Sequence, residues 1–212
     1  MCFNYKVSLL TFFIGTVFSF LLFKYGNKKY SLENKISGIF LASISLVQFM
    51  DFLLWIDIKN KLGINKITTI LGPIIVLCQP ILLFLIKYLY YKPNLLTFHN
   101  FNLPVAVLNL FYLIYFINMY TNFLTSGNLI TVVKNSHLSW PWIKYTIPSF
   151  YLIILAVNIF YLFNFKYALV EFLVTYLFFY ISVKYFFYNA GEIWCFFGSF
   201  IPLIMFLISF FI

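Results

Sequence analysis

Gln48, Asp51 and Trp55 stand at i, i+3 and i+7, so on an α-helix they share one stripe, which Ser45 extends. Asp51 lies six residues before Asp57, about 9 Å along a helix axis. An acid within a membrane helix costs about 2.5–3.5 kcal/mol at the centre, and such groups face a bundle interior or a wet cavity. Two readings follow. The stripe binds a cation, a proton or a polar head, or Asp51 is a structural acid neutralised by a lysine such as Lys184. A second group surrounds His137, which has Ser136, Ser139 and the Trp140-Pro141-Trp142 turn beside it. A third opens the last apolar run with Glu192, Trp194 and Cys195.

Cysteine and histidine chemistry leaves several alternatives. Cys2 and Cys195 are expected near one surface, where a disulfide would tie the N-terminus to the last helix if that surface is oxidising. With Asp51 or His137 the same cysteines are weak candidates for a metal. No HExxH, CxxC or close histidine pair is present. Glu171 is expected to pair with Lys87 or Lys166, and Lys184 to extend along its helix to the interface.

These residues must be positioned by elements that water does not favour. Of the 212 residues, 64% are hydrophobic and 9% are charged, against about half and about a quarter in soluble domains. That excludes a soluble enzyme and a nucleic-acid binder, although the formal charge is +9. The basic groups are all lysines, set mostly between apolar runs as helix-end anchors. The abundance of Phe, Tyr, Ile, Asn and Lys without Arg also matches an AT-rich coding sequence.

A membrane-spanning helix needs about 20 mostly apolar residues. The runs 7–23, 36–56, 67–91, 103–120, 147–163, 168–187 and 193–212 predict seven spans in a single all-α transmembrane domain, a polytopic seven-helix bundle over 1–212. Run 7–23 is read as a mature helix and not a signal peptide. Retinal is excluded, because the last span has no buried lysine. Gly15 with Ser19, and Gly38 with Ala42, are small pairs four apart that suggest close helix approach. Pro73, Pro80, Pro104, Pro148 and Pro202 are expected to bend or open their spans, with Gln79 satisfying a carbonyl freed by Pro80. No internal repeat is visible.

Alternating spans place Cys2, Gln48, Asp51, Trp55, His137, Trp140, Trp142, Glu192, Trp194 and Cys195 on the N-terminal face, including all four tryptophans. Lysines divide seven to each face. The dense first loop, from Lys24 to Lys35, favours a cytoplasmic loop and an external N-terminus.

The opening Met1-Cys2-Phe3, the Gln48-x-x-Asp51-x-x-x-Trp55 segment and Trp194-Cys195-Phe196-Phe197 resemble an uncharacterised, mainly bacterial family of seven-span membrane proteins. Its members begin Met-Cys-Phe-Ser and carry Gln-x-x-Glu-x-x-x-Trp and Trp-Cys-Phe-Phe segments. Asn4 stands where the family has serine, and Asp51 where it has glutamate. The resemblance implies that the Cys, acid, Trp and Trp-Cys positions belong together. It implies no activity.

Three functional expectations follow. The first is a small transporter, channel or sensor that binds a polar ligand or cation at Gln48, Asp51, Trp55, His137, Glu192 and Trp194 in a polar pocket on the N-terminal face. The second is a structural or assembly protein without a ligand. The third is an intramembrane, lipid-acting enzyme, metal-assisted through Cys2, Asp51, His137 and Cys195. The lipid bilayer is the one partner common to all three.

Overall fold

The structure is a computed structural model that describes residues 4–90, 103–134, 137–186 and 190–211. Helices occupy every predicted span: α1 (Tyr5–Tyr25), α2 (Ser31–Ile56), α3 (Ile64–Leu77), α4 (Gln79–Tyr90), α5 (Leu103–Thr125), α6 (Pro148–Leu162), α7 (Phe165–Phe186), α8 (Ala190–Gly198) and α9 (Ile201–Ile208). A short antiparallel hairpin, β1 (Val132–Lys134) with β2 (His137–Ser139), interrupts the long connection before α6.

Among the described residues four helices are long and apolar enough to cross a membrane: α1, α2, α5 and α7. The α3–α4 pair makes a fifth if it counts as one span bent by 49°. Helix α6 has 15 residues, about 22 Å of rise, and α8 and α9 are shorter still.

Their faces are reversed relative to a soluble fold. On α1 the buried residues are Ser8, Thr11, Gly15, Ser19 and Leu22, while Leu10, Phe13, Val17 and Phe20 are exposed. On α7 the fully buried stripe is Tyr167, Glu171, Thr175 and Ser182, while Leu169, Leu173, Leu177 and Tyr180 face outward. In water these helices would turn their apolar faces inward. Lipid is as apolar as leucine, so helices there associate through small and polar groups that permit close packing.

Helices α1 and α2 form an antiparallel hairpin with the most extensive contact in the molecule. Two glycines set its spacing. A Cβ on Gly15 would lie 2.1 Å from Ser45 Oγ, and one on Gly38 would lie 2.8 Å from the Ser19 carbonyl oxygen. Gly15 also faces the Ser199 carbonyl at the break between α8 and α9, so the last helix pair packs into the same seam.

The prolines act differently from expectation. Pro148 and Pro202 start α6 and α9, and Pro104 is the second residue of α5. A first-turn N–H has no intrahelical partner, so proline costs nothing there. Pro73 sits within α3. Only Pro80 stands at a bend, at the α3–α4 junction. The carbonyls there are satisfied from other helices: Tyr112 Oη donates to Leu77 O at 2.8 Å, and Asn158 Nδ2 to Pro80 O at 2.9 Å. The Gln79 side chain instead donates to Ser43 O and accepts from Tyr151 Oη. Asn109 and Asn158 exchange amide hydrogen bonds at 2.9 Å, completing a buried network across α4, α5 and α6.

Several lysines near helix ends stand over aromatic rings. Lys24 stands over Phe20 and Tyr25, Lys29 over Tyr30, Lys144 over Tyr145, and Lys184 over Tyr180 and Tyr185. These are the amphipathic contacts of an interface.

Candidate functional site

The long connection folds back over the bundle and closes one end of it. Its anchor is Thr131, fully buried. The Thr131 N–H donates to Asn65 Oδ1 at 2.9 Å and to Thr69 Oγ1 at 3.1 Å, and its carbonyl accepts from Asn65 Nδ2 at 2.9 Å. The two threonine hydroxyls bond at 2.8 Å. Asp57 prepares that end of α3. Its carboxylate accepts from the Leu62 and Asn65 backbone N–H groups at 3.1 and 3.2 Å. Burial opposes its charge, but the backbone donors prevail and hold Asp57 below the ordinary carboxylate value.

Beyond Thr131 the hairpin buries Leu138 and delivers Trp140 and Trp142. The two indoles stack 5.0 Å apart at 16°. They roof a cavity of about 360 Å³. Its walls come from the end of α3 (Val76, Leu77), the start of α6 (Tyr151, Leu152), the C-terminal half of α7 (Phe179, Val183) and α8 (Trp194, Cys195). Trp194 meets Tyr151 and Phe179 edge-on, at 5.5 and 5.8 Å between centroids. The Tyr151–Gln79 hydrogen bond, 2.7 Å, ties the wall to the α3–α4 bend. The lining is overwhelmingly apolar and aromatic.

Of the candidates named from the sequence, Trp140, Trp142, Trp194 and Cys195 converge here. Gln48 and Asp51 do not line this cavity; both are fully buried on the inward stripe of α2. Thr11 Oγ1 donates to Gln48 Oε1 at 3.0 Å, so Gln48 belongs to the α1–α2 seam. The cavity beside this stripe is aromatic, and Gln48 and Asp51 lie outside its lining. The physical reason is α1: its Ser8, Thr11, Gly15 and Ser19 form a complementary polar stripe that covers α2. The Lys184 ammonium stands over tyrosine rings at an exposed position, and not on Asp51. Trp55 is half-buried near the end of α2.

His137 is half-buried on β2, opposite Lys134. Burial holds its imidazole below the ordinary value, which keeps it neutral near pH 7. Ser136, Cys2 and the side chain of Glu192 lie outside the described residues, so the Cys2–Cys195 disulfide does too. Cys195 itself is buried. Among the described residues no three His, Cys, Asp or Glu side chains gather as metal ligands. Asp51, His137 and Cys195 thus do not form the expected cluster: they sit on the α1–α2 seam, the loop hairpin and the cavity wall.

Sequence reasoning missed Tyr151, Gln79, Phe179 and Leu77 as site residues. Gln79 stands out in the sequence only through the proline that follows it, while nothing in the local pattern distinguishes Tyr151 or Phe179 from the other aromatics of the chain. Comparison with family models, with curated proteins and with solved structures finds no match for this chain.

Proposed function

We propose that this chain is a seven-span integral membrane protein that binds a lipid-like amphiphile in the aromatic cavity on its N-terminal face. Three of its four tryptophans wall one apolar cavity, and that observation carries the reading. At about 360 Å³ the cavity lies within the usual range of small-molecule sites. Its lining suits an alkyl or isoprenoid chain better than a hydrated cation. Ile143 and Val183 line it, and their chain neighbours Lys144 and Lys184 carry exposed ammonium groups. These lysines suit an anionic head group on the occupant. The seven-span reading is supported by the ends of the helices. Asn27 reaches Ser209, and Asn34 reaches Tyr167, whereas Asn65 reaches Thr131 at the opposite ends of α2 and α5. The resemblance to the seven-span family beginning Met-Cys-Phe-Ser supports grouping Trp194 and Cys195 with the site.

Titration of the purified protein with a brominated fatty acid tests this. Saturable quenching of tryptophan fluorescence is expected, abolished by Val183→Phe, which fills the cavity. Lys144→Ala with Lys184→Ala should weaken the anionic probe but not its methyl ester. Quenching that is unsaturable, or unchanged in Val183→Phe, refutes the assignment.

A further inference from the structure

Away from the aromatic cavity, Glu171 stands six residues after the start of α7, about 9 Å along the axis from that end. It is fully buried, and neither carboxyl oxygen has a hydrogen-bond partner. The expected partner Lys166 is exposed at the helix start; Lys87 has its side chain outside the described residues. The Ser37 hydroxyl of α2 stands beside the carboxyl, short of a formed hydrogen bond. Thr175, one turn further on the same buried stripe, also has an unsatisfied hydroxyl.

An ionised carboxylate without donors in an apolar interior costs far more than a neutral acid, so such a group holds a proton. The surroundings also offer a route by which that proton could leave. Ser37 is adjacent to both Glu171 and the Tyr167 phenol. Tyr167 Oη donates to Asn34 Oδ1 at 3.1 Å, and Asn34 Nδ2 donates to the Asn27 carbonyl at 2.9 Å. Asn27 belongs to the loop that carries the exposed Lys28 and Lys29. Polar groups therefore run from the buried acid to the face opposite the aromatic cavity. The titratable neighbours are Tyr167 on its own helix and, across from it on α2, Glu33, which acts on Tyr167.

We propose that Glu171 is an exchangeable proton-binding site within the membrane, served by the Ser37 and Tyr167 hydroxyls, with Asn34 holding the Tyr167 phenol toward the Asn27 face. The occupant is a proton; among the described residues no group of three His, Cys, Asp or Glu side chains gathers there to hold a metal cation. Infrared spectroscopy of the full chain in lipid vesicles tests this independently of any ligand in the aromatic cavity. At neutral pH a carbonyl band of a protonated carboxylic acid is expected. It should disappear in Glu171→Gln, shift in Glu171→Asp, and move on transfer to D2O. Tyr167→Phe should slow that movement several-fold. Labelling of the wild-type chain with dicyclohexylcarbodiimide, located by peptide mass spectrometry, gives a second readout should Glu171→Gln not fold. Absence of the band and of a Glu171 adduct overturns the proposal. So does a Glu171 band that never shifts in D2O, which would make the acid a sealed structural group. A Tyr167→Phe rate equal to wild type overturns the route.

Discussion

Gly15 and Asp57 show how much of this fold rests on single side chains, or on the lack of one. A methyl group on Gly15 would meet Ser45 Oγ at 2.1 Å, Ser45 Cβ at 2.9 Å and the Ser199 carbonyl oxygen at 3.0 Å. Three elements would have to move apart. Gly15→Ala should therefore cost about 1–3 kcal/mol, the usual range for overpacking, read as a lowered thermal midpoint in detergent. Gly63 is a useful contrast, with φ of +75° and open space around it; Gly63→Ala should cost about 1–2 kcal/mol by backbone strain alone. Asp57 links the fold to pH. Its folded value is depressed, so its contribution to stability is complete above the ordinary carboxylate value of about 4. The contribution fades as pH falls through the depressed folded value. Asp57→Asn should thus lower stability at neutral pH, and the difference from wild type should vanish on acidification. A difference that grows on acidification would mean that the backbone donors do not favour the charged form.

At the scale of elements, the roof over the cavity is held by one latch. Asn65 makes hydrogen bonds both to and from Thr131 across the start of α3, and its removal would leave the buried Thr131 carbonyl unsatisfied, while the N–H keeps Thr69. Such groups cost about 1–3 kcal/mol each. Asn65→Ala should accordingly destabilise the chain by that order and loosen the roof. Faster proteolytic nicking between 126 and 146 and a red-shifted Trp140–Trp142 emission would report it. Unchanged nicking would show that the stacked indoles hold the roof without the latch. The latch also marks where the sequence stops being informative. Helices are local, so long apolar runs reveal them. The Thr131–Asn65 bonds join residues 66 apart, and no periodicity encodes them. The same holds for the α8–α9 break at Ser199: Pro202 sits three residues beyond it and starts the next helix instead of bending the previous one. Span alternation did bring Trp140, Trp142, Trp194 and Cys195 to one face, because that grouping depends only on counting crossings. It also placed Gln48 and Asp51 there, but alternation cannot say which helix covers a stripe. The polar residues of α1, at the same spacing as those of α2, carried that information.

For the whole molecule the decisive quantity is the number of crossings. Among the described residues four helices, or five with the bent pair, meet the length and hydropathy of a span; α6 is short, and the last pair is broken. The seven crossings proposed above draw on contacts in the interior. Helix α6 contributes Asn158 to the buried network at Pro80 and Asn109, and it leads through Asn164 into α7, whose Tyr167 meets Asn34 near the Asn27 loop. Asn27 also meets Ser209 beyond the end of α9. Seven crossings put the Asn164 turn on the same side as Asn27 and opposite Ser126. If α6 did not cross, Asn164 would share the side of Ser126. Asn27→Cys, Ser126→Cys and Asn164→Cys, each in a chain whose native cysteines are replaced by serine, separate these arrangements. Sealed vesicles of one orientation, treated with a membrane-impermeant maleimide, should label Asn164→Cys and Asn27→Cys alike and Ser126→Cys oppositely. Labelling of Asn164→Cys together with Ser126→Cys would remove the α6 crossing and overturn the count of seven. It would also leave α6 against the bundle without spanning it, and Tyr151, with its edge of the aromatic cavity, would then lie outside a seven-helix frame.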